Sequence, residues 1–305
     1  MSNSVAVPDD GPDLLRGPLK LGVLGSPIAH TRSPLLHRTA YAALGLPWSY
    51  DAYEVTTDAL PGFVDALTPE WRGLSLTMPL KETILGSLDS IDTIGSATGA
   101  VNTVLISQHD GQRRLDGFNT DVHGIREALL RAGVERTLRT LVIGGGATAR
   151  SAVVAAGQLG SEHVDIVLRS PAKAADVVEA ARSAGVSSTV TALHDPAVAG
   201  LEPDLTISTL PGGVGVSVNF VGTSIPASST LLDVAYHPWP SELGGLWEAE
   251  GRLAVPGLSM LVHQAVAQIR VFLRGDPVVK LDDEERITAA MLDAVGLDAA
   301  GQPLP

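Results

Sequence analysis

Leu141-Val142-Ile143-Gly144-Gly145-Gly146-Ala147-Thr148-Ala149 is the stretch on which the reading of this chain turns. Three apolar β-formers run into a glycine triplet, and a helical pattern continues from Ala147 to Leu159. The string fits G-x-G-x-x-A where a strand hands over to a helix. Glycines there permit a tight turn and let backbone N–H groups approach a pyrophosphate, whose negative charge the helix dipole favours. A lone glycine triplet reads as an ordinary turn. Strand, loop and helix in one register point instead to a dinucleotide held by Gly144, Gly145, Gly146, Ala147, Thr148 and Ala149.

In such a unit the next strand ends beside a ribose, where Asp or Glu accepts hydrogen bonds from the hydroxyls of NAD. Here Val164-Asp165-Ile166-Val167-Leu168 ends in Arg169-Ser170, and Lys173 follows Arg169 by one turn if a helix begins at Pro171. A guanidinium, a hydroxyl and an ammonium suit a 2′-phosphate, so Arg169, Ser170 and Lys173 favour NADP(H). The plainer reading is a solvated basic pair.

Outward from this loop, strands and helices alternate in both directions. Upstream, Leu21–Leu24, a helix from Ser33-Pro34, Trp48–Val55, a helix over Asp58–Leu67 and Gly73–Leu76 give β-α-β-α-β, the pattern of a mostly parallel sheet. Val101–Ser107 and Arg113–Phe118, joined through Asp110-Gly111, read as a hairpin forming an antiparallel edge. Downstream, a helix after Asp121, the strands Thr140–Ile143 and Val164–Leu168, a helix over Pro171–Ala184, and strands at Ser188–Thr191, Leu205–Ser208, Thr230–Val234 and Leu253–Val255 make a second, doubly wound unit. A helix from Gly257 and another near Asp282–Val295 close the chain.

Composition narrows the function classes. Lys+Arg 21 against Asp+Glu 34 leaves a net charge of −13, which repels nucleic acid and anionic membranes. The absence of Cys removes disulfides, thiolate metal sites and a cysteine nucleophile, and fits a cytoplasmic protein. Residues 1–19 lack the positive start and apolar run of a signal peptide and read as a disordered lead. His30 and His37 are separated by Pro34 and are joined by no acidic ligand at metal spacing, so no metal is expected. Neither G-x-S-x-G nor G-x-x-x-x-G-K occurs.

Only four lysines are present, and Lys81 follows an apolar strand end as Leu74-Ser75-Leu76-Thr77-Met78-Pro79-Leu80-Lys81. Pro79 sets a turn at the carboxyl edge of the sheet, where α/β proteins place ligands. A Lys there can exchange a proton with a substrate hydroxyl or anchor an anion. On these residues alone a surface lysine is the stronger reading.

Six motifs alter that balance: Gly25-Ser26-Pro27-Ile28-Ala29-His30-Thr31-Arg32-Ser33-Pro34-Leu35-Leu36-His37, Ser75–Lys81, Gly99-Ala100-Val101-Asn102-Thr103-Val104, Gly117-Phe118-Asn119-Thr120-Asp121, Asp233–Pro238 and Gly257–Ala265. Together they resemble the shikimate dehydrogenase family over Lys20–Arg274, in detail its actinobacterial members. The resemblance implies an N-terminal α/β substrate domain (20–120 and 257–305) and a Rossmann-type NADP-binding domain (121–256). It implies reversible NADPH-dependent reduction of 3-dehydroshikimate to shikimate, within aromatic amino acid biosynthesis. Lys81 and Asp121 take the catalytic positions, as a proton relay for the C3 oxygen. Thr31 and Ser33 fall where a carboxylate is clamped, Thr77, Asn102 and Gln264 where ring hydroxyls and the carbonyl are held, Tyr236 at a substrate contact and Gly257 beside the nicotinamide.

Departures concentrate on the nucleotide side. Ala147 replaces a common fourth glycine, Leu168 stands where Asn is common, and Ser208-Thr209-Leu210 replaces Asn-Ala-Thr. On the substrate side Thr31 replaces a serine and Ser75 an asparagine. The alternatives are an NAD-preferring quinate/shikimate dehydrogenase and a non-catalytic relative that binds nucleotide and ligand. Both a monomer and a homodimer are compatible with the sequence.

Overall fold

The computed structural model describes residues 17–109, 111–213 and 225–304. Most of the expected lead and Asp110 of the hairpin lie outside the described residues. In chain order the first elements are β1 (Lys20–Gly25), α1 (Ser33–Leu44), β2 (Ser49–Glu54), α2 (Leu60–Asp65), β3 (Trp71–Leu76), α3 (Leu80–Thr83), β4 (Ser90–Ile91), α4 (Thr93–Thr98), β5 (Thr103–His109) and β6 (Gln112–Phe118). Then come α5 (Asp121–Arg131), β7 (Arg139–Ile143), α6 (Ala147–Gln158), β8 (His163–Leu168), α7 (Ala175–Ser183), β9 (Ser187–Ala192), β10 (Leu205–Ser208), β11 (Thr230–Asp233), α8 (Glu242–Ala249), β12 (Ala254–Pro256), α9 (Gly257–Arg274) and α10 (Glu284–Ala294).

Two compact units result: Met1–Thr120 with Val262–Gly296, and Asp121–Leu261 with Leu297–Pro305. The sequence reading assigned all of 257–305 to the first unit. Contacts group Gly257–Leu261 and Leu297–Pro305 with the second, where a Cβ on Gly301 would lie 2.2 Å from Ser259 Oγ.

The first unit holds a six-stranded sheet in the order β2-β1-β3-β5-β6-β4. Its β1 and β3 are near-continuous buried runs, as parallel strands covered on both faces require. Leu24, Leu74, Leu76, Val104 and Ile106 form the core, each such side chain contributing about 1.5–3 kcal/mol on burial. Phe272 of α9 sits over Gly73, 2.3 Å from where a Cβ would be, so only glycine admits the ring there. The expected antiparallel edge is corrected. The hairpin β5–β6 is interior, and the edge strand β4 pairs parallel with β6, leaving β5 as the one reversed strand of this sheet. Two residues are too few to leave a periodic signal, which is why β4 escaped the sequence reading. Its neighbour α4 was missed too, although Asp92 caps it by accepting from Gly95 N–H at 2.7 Å.

Among the described residues the sheet strands of the second unit all run parallel in the order β12-β11-β10-β7-β8-β9, the doubly wound dinucleotide-binding arrangement. Leu141, Ile143, Val167, Leu231 and Trp247 pack on one of its faces. The helix expected from Pro171 is in two pieces: a 3₁₀ turn, Pro171–Lys173, precedes α7. Unforeseen α8 starts at Ser241, whose hydroxyl accepts from Gly244 N–H at 3.0 Å.

Candidate active site

Strand order in the second unit reverses between β7 and β10, and ligands of such sheets bind outside the carboxyl ends of the strands at that point. The glycine loop sits there. Gly144 has φ +123°, a conformation that favours glycine, and a Cβ on it would meet Thr209 Oγ1 at 2.2 Å. Thr209 donates from its hydroxyl to the Ile143 carbonyl at 2.8 Å and from its N–H to the same carbonyl at 2.9 Å, locking the loop after β10 against the loop after β7. Gly145 packs close to Leu168, and Gly146 precedes α6, a helix whose start has no side-chain cap. Uncapped N–H groups at a dipole's positive end suit a phosphate. Buried Ala149 turns its methyl inward, the small residue that close helix–sheet packing needs.

Arg169, Ser170 and Lys173 are all exposed just beyond β8, and Lys173 N–H donates to Ser170 O at 2.9 Å, closing the 3₁₀ turn over them. The structure thus gathers two cations and a hydroxyl around one strand end. At the carboxyl ends of β10 and β11 a cavity of ≈ 160 Å³ is lined by Ser208, Leu210, Gly212, Asp233, Ala235 and Ser241. Burial pushes the Asp233 carboxyl up, against bonds accepted from Ser241 Oγ (2.6 Å) and Ala235 N–H (3.2 Å). Half-buried Tyr236 lies in the loop that follows β11. Gly257 opens α9 with its Cα so close to Val234 that a Cβ would be 2.1 Å from the Val234 carbonyl oxygen. Thr209 and Asp233 were not named as site residues, although Asp233 opens the Asp233–Pro238 motif and Thr209 stands in the Ser208-Thr209-Leu210 departure.

In the first unit the candidate substrate residues converge at the carboxyl ends of β1 and β3. Thr31 Oγ1 donates to Ser33 Oγ at 3.3 Å and accepts from Ser33 N–H at 3.3 Å, so two hydroxyls lie side by side at the start of α1. Such a pair can each donate to one carboxylate once Thr31 Oγ1 turns its proton from Ser33 to the ligand. Thr77 begins the turn after β3, where its carbonyl accepts from Leu80 N–H at 2.8 Å. Lys81, half-buried in the short α3, accepts from Val101 N–H at 2.8 Å through its carbonyl, which ties its backbone to the segment leading into Asn102.

Asn102 is 2% exposed and sits at the centre of a buried polar cluster. Its carboxamide oxygen accepts from Thr120 N–H (2.8 Å) and Thr103 Oγ1 (2.9 Å). Its nitrogen donates to Thr120 Oγ1 (3.0 Å) and to Gln264 Oε1 (3.3 Å). Thr120 was not named as a site residue, though it stands in the Gly117–Asp121 motif. Asp121 belongs to the second unit, where it opens α5 and is 3% exposed. Among the described residues no group of three or more His, Cys, Asp or Glu could hold a metal ion.

A parallel sheet in dinucleotide-binding order in one unit, and a hydroxyl- and amide-lined cluster in the other, define a two-unit α/β protein of the dinucleotide-binding class. Comparison with known proteins narrows this. A family model described as the shikimate dehydrogenase substrate binding domain matches residues 23–104. The chain is 34% identical over 266 residues to a shikimate dehydrogenase (NADP(+)) of Thermus thermophilus, covering 83% of this chain and 92% of that one. It is 32% identical over 274 residues to the pentafunctional AROM polypeptide of Schizosaccharomyces japonicus, covering 84% of this chain and 17% of that much longer protein. The crystal structure of a shikimate 5-dehydrogenase from Mycobacterium fortuitum superposes with TM-score 0.74 at 38% identity, covering 90% of this chain and 98% of that one. The Thermus thermophilus shikimate 5-dehydrogenase in complex with NADP(H) and shikimate gives 0.74 at 30% identity, covering 90% and 99%. The chain belongs to the shikimate dehydrogenase family.

Proposed function

We propose that the chain catalyses the reversible NADPH-dependent reduction of 3-dehydroshikimate to shikimate. The observation that carries the reading is Asn102 beside Gln264: residues 162 positions apart meet at 3.3 Å in a buried amide and hydroxyl cluster suited to a polyhydroxylated ring. Thr31 and Ser33 hold the substrate carboxylate, with Thr77, Asn102, Gln264 and Tyr236 on the ring oxygens. The tight Gly144 turn, the uncapped start of α6 and the Arg169–Lys173 cluster fit an NADP(H) whose pyrophosphate rests on Gly144–Ala149 and whose 2′-phosphate meets Arg169, Ser170 and Lys173. NADP(H), when bound, supplies or accepts the hydride.

The chain's own part is to orient and to move one proton. Lys81 gives a proton to the C3 oxygen as the carbonyl becomes a hydroxyl and takes it back in the reverse direction, with Asp121 as its relay partner. Gly257 leaves room beside the nicotinamide because no side chain intervenes. A cytoplasmic biosynthetic role fits the Cys-free composition, and no helix among the described residues is long and apolar enough to cross a membrane.

The test is the absorbance change at the reduced-nicotinamide band when pure protein is mixed with shikimate or quinate and NADP or NAD. Turnover of shikimate with NADP supports the reading. Preference for quinate, preference for NAD, or binding without turnover would each replace it with one of the alternatives.

A further inference from the structure

We propose that Gln268 is a positioning residue of the substrate site: it joins in one directional hydrogen-bond network the segments that carry Ser33, Thr77, Asn102 and Gln264. This rests on the substrate site proposed above. Gln268 is 2% exposed and lies one helical turn beyond Gln264 on α9. Its carboxamide nitrogen donates to the Asn102 carbonyl at 3.2 Å, an oxygen that also accepts Leu76 N–H at 2.8 Å. Reversing the amide would set its oxygen against that carbonyl oxygen, two acceptors facing each other, so the orientation is fixed.

Every other proton in the network follows from that one. With the amide nitrogen committed, Oε1 is the acceptor for Ser75 Oγ at 2.9 Å and for His37 Nε2 at 3.1 Å. Ser75 has then used its proton and accepts from Tyr50 Oη at 2.7 Å. His37 must carry its proton on Nε2, so its Nδ1 accepts from Tyr41 Oη at 3.1 Å. Its ring stacks on Tyr50 with centroids 3.9 Å apart and planes 7° apart, and burial pushes its pKa down to about 3, which keeps it neutral. Ser75, His37, Tyr50 and Tyr41 each donate their one polar proton within the cluster, which is what a buried polar cluster needs to specify one geometry.

The positions of these groups along the chain give the network its reach. His37 lies one turn after Ser33 on α1, Ser75 two residues before Thr77 on β3, and Gln264 one turn before Gln268 on α9, while Asn102 is bonded directly. Hydrogen bonds tolerate displacement of only a few tenths of an ångström before weakening. Loss of the Gln268 amide therefore removes one of the two bonds to the Asn102 carbonyl, leaving Leu76 N–H, and loosens the segment whose carboxamide meets Gln264. His37 acts here through its hydrogen bond to Gln268.

The experiment uses the full chain with Gln268→Leu and Gln268→Glu. Glu keeps the two acceptor bonds and loses the donor to Asn102; it is nearly isosteric and is the variant to read if Leu does not fold. For each, kcat and KM for shikimate, Kd for NADP by fluorescence titration, melting temperature, and ¹⁵N shifts of the histidine rings are measured. Wild type should show His37 as the neutral Nε2–H tautomer. Both variants should raise KM for shikimate about tenfold with NADP affinity unchanged within about twofold, and Glu should convert His37 to imidazolium. A fall in melting temperature with KM unaltered in both variants would overturn the positioning role alone. A wild type that does not turn over shikimate would overturn the proposed reaction and this role with it, and an Nδ1–H tautomer for His37 would overturn the network.

Discussion

The Thr209 hydroxyl occupies the space that a β-carbon on Gly144 would need, 2.2 Å from its ideal position, so the loop after β10 is built against the bare backbone of the loop after β7. At φ +123° any other residue is also strained. Gly144→Ala should therefore cost stability by about 1–3 kcal/mol and weaken NADP at least as much, because the turn that presents the α6 N–H groups moves. Melting curves and NADP titration check this. An alanine variant with native melting temperature and native NADP affinity would remove Gly144 from the cofactor loop.

Removing the ammonium of Lys81 should act on turnover more than on binding. Lys81→Ala is expected to lower kcat about 10²- to 10⁴-fold, the usual reach of a positioned acid or base, with a much smaller change in shikimate Kd. Asp121→Asn should do the same. Steady-state kinetics and equilibrium binding separate the two effects, and near-native kcat in either variant contradicts the relay.

The side-by-side hydroxyls of Thr31 and Ser33 should each donate to the substrate carboxylate. A hydrogen bond to a charged group contributes roughly 1.5–3 kcal/mol, so Ser33→Ala should weaken shikimate about 10- to 150-fold. In the wild type, a carboxamide analogue of shikimate should bind correspondingly worse. Equal affinity for acid and amide is the result that refutes the clamp.

Cofactor choice should follow the charge beyond β8. Arg169→Ala is expected to cost about 1.5–3 kcal/mol in kcat/KM for NADP and little for NAD, and adding Lys173→Ala should remove what compensation the ammonium gives. Measuring both cofactors in wild type, single and double variants decides it. Equal losses with NADP and NAD would show that these side chains hold the loop and do not read the phosphate.

Two buried groups should oppose each other in the acid range. Desolvation lifts Asp92 to about 6, so its contribution is fully present below its ordinary 3.8 and is lost as pH rises through 6. Desolvation lowers His37 to about 3, so its contribution is present above the ordinary 6.5 and is lost as pH falls toward 3. Between about pH 4 and 6 each shifts stability by about 1.4 kcal/mol per pH unit, with opposite sign. Relative to wild type, Asp92→Asn should make stability rise more steeply with pH in this window, and His37→Gln should make it fall. Denaturant melts at intervals from pH 4 to 6.5 would show it, and parallel curves for all three proteins would falsify the assignment.

Local patterns carried the reading of the second unit. The strand, glycine triplet and helix around Gly144 and the alternating apolar runs are set by conformational freedom and periodicity within a few residues, so they are visible in the chain itself. The same is true of Arg169-Ser170 at a strand end. Residues 90–91 of β4 and the one-turn α3 are shorter than any period and left no such mark. Sheet order, the interior place of the β5–β6 hairpin, and the split of α9 between two compact units depend on which surfaces bury one another. Asn102 and Gln264 could be named from motifs, but their meeting at 3.3 Å, and the convergence of His37, Ser75 and Tyr50 on Gln268, come from packing elements far apart in the chain. Periodicity along one strand or helix shows which side is buried; only the folded sheet and helices decide which polar groups share that interior, because buried donors and acceptors must be satisfied by whatever partners packing brings within reach.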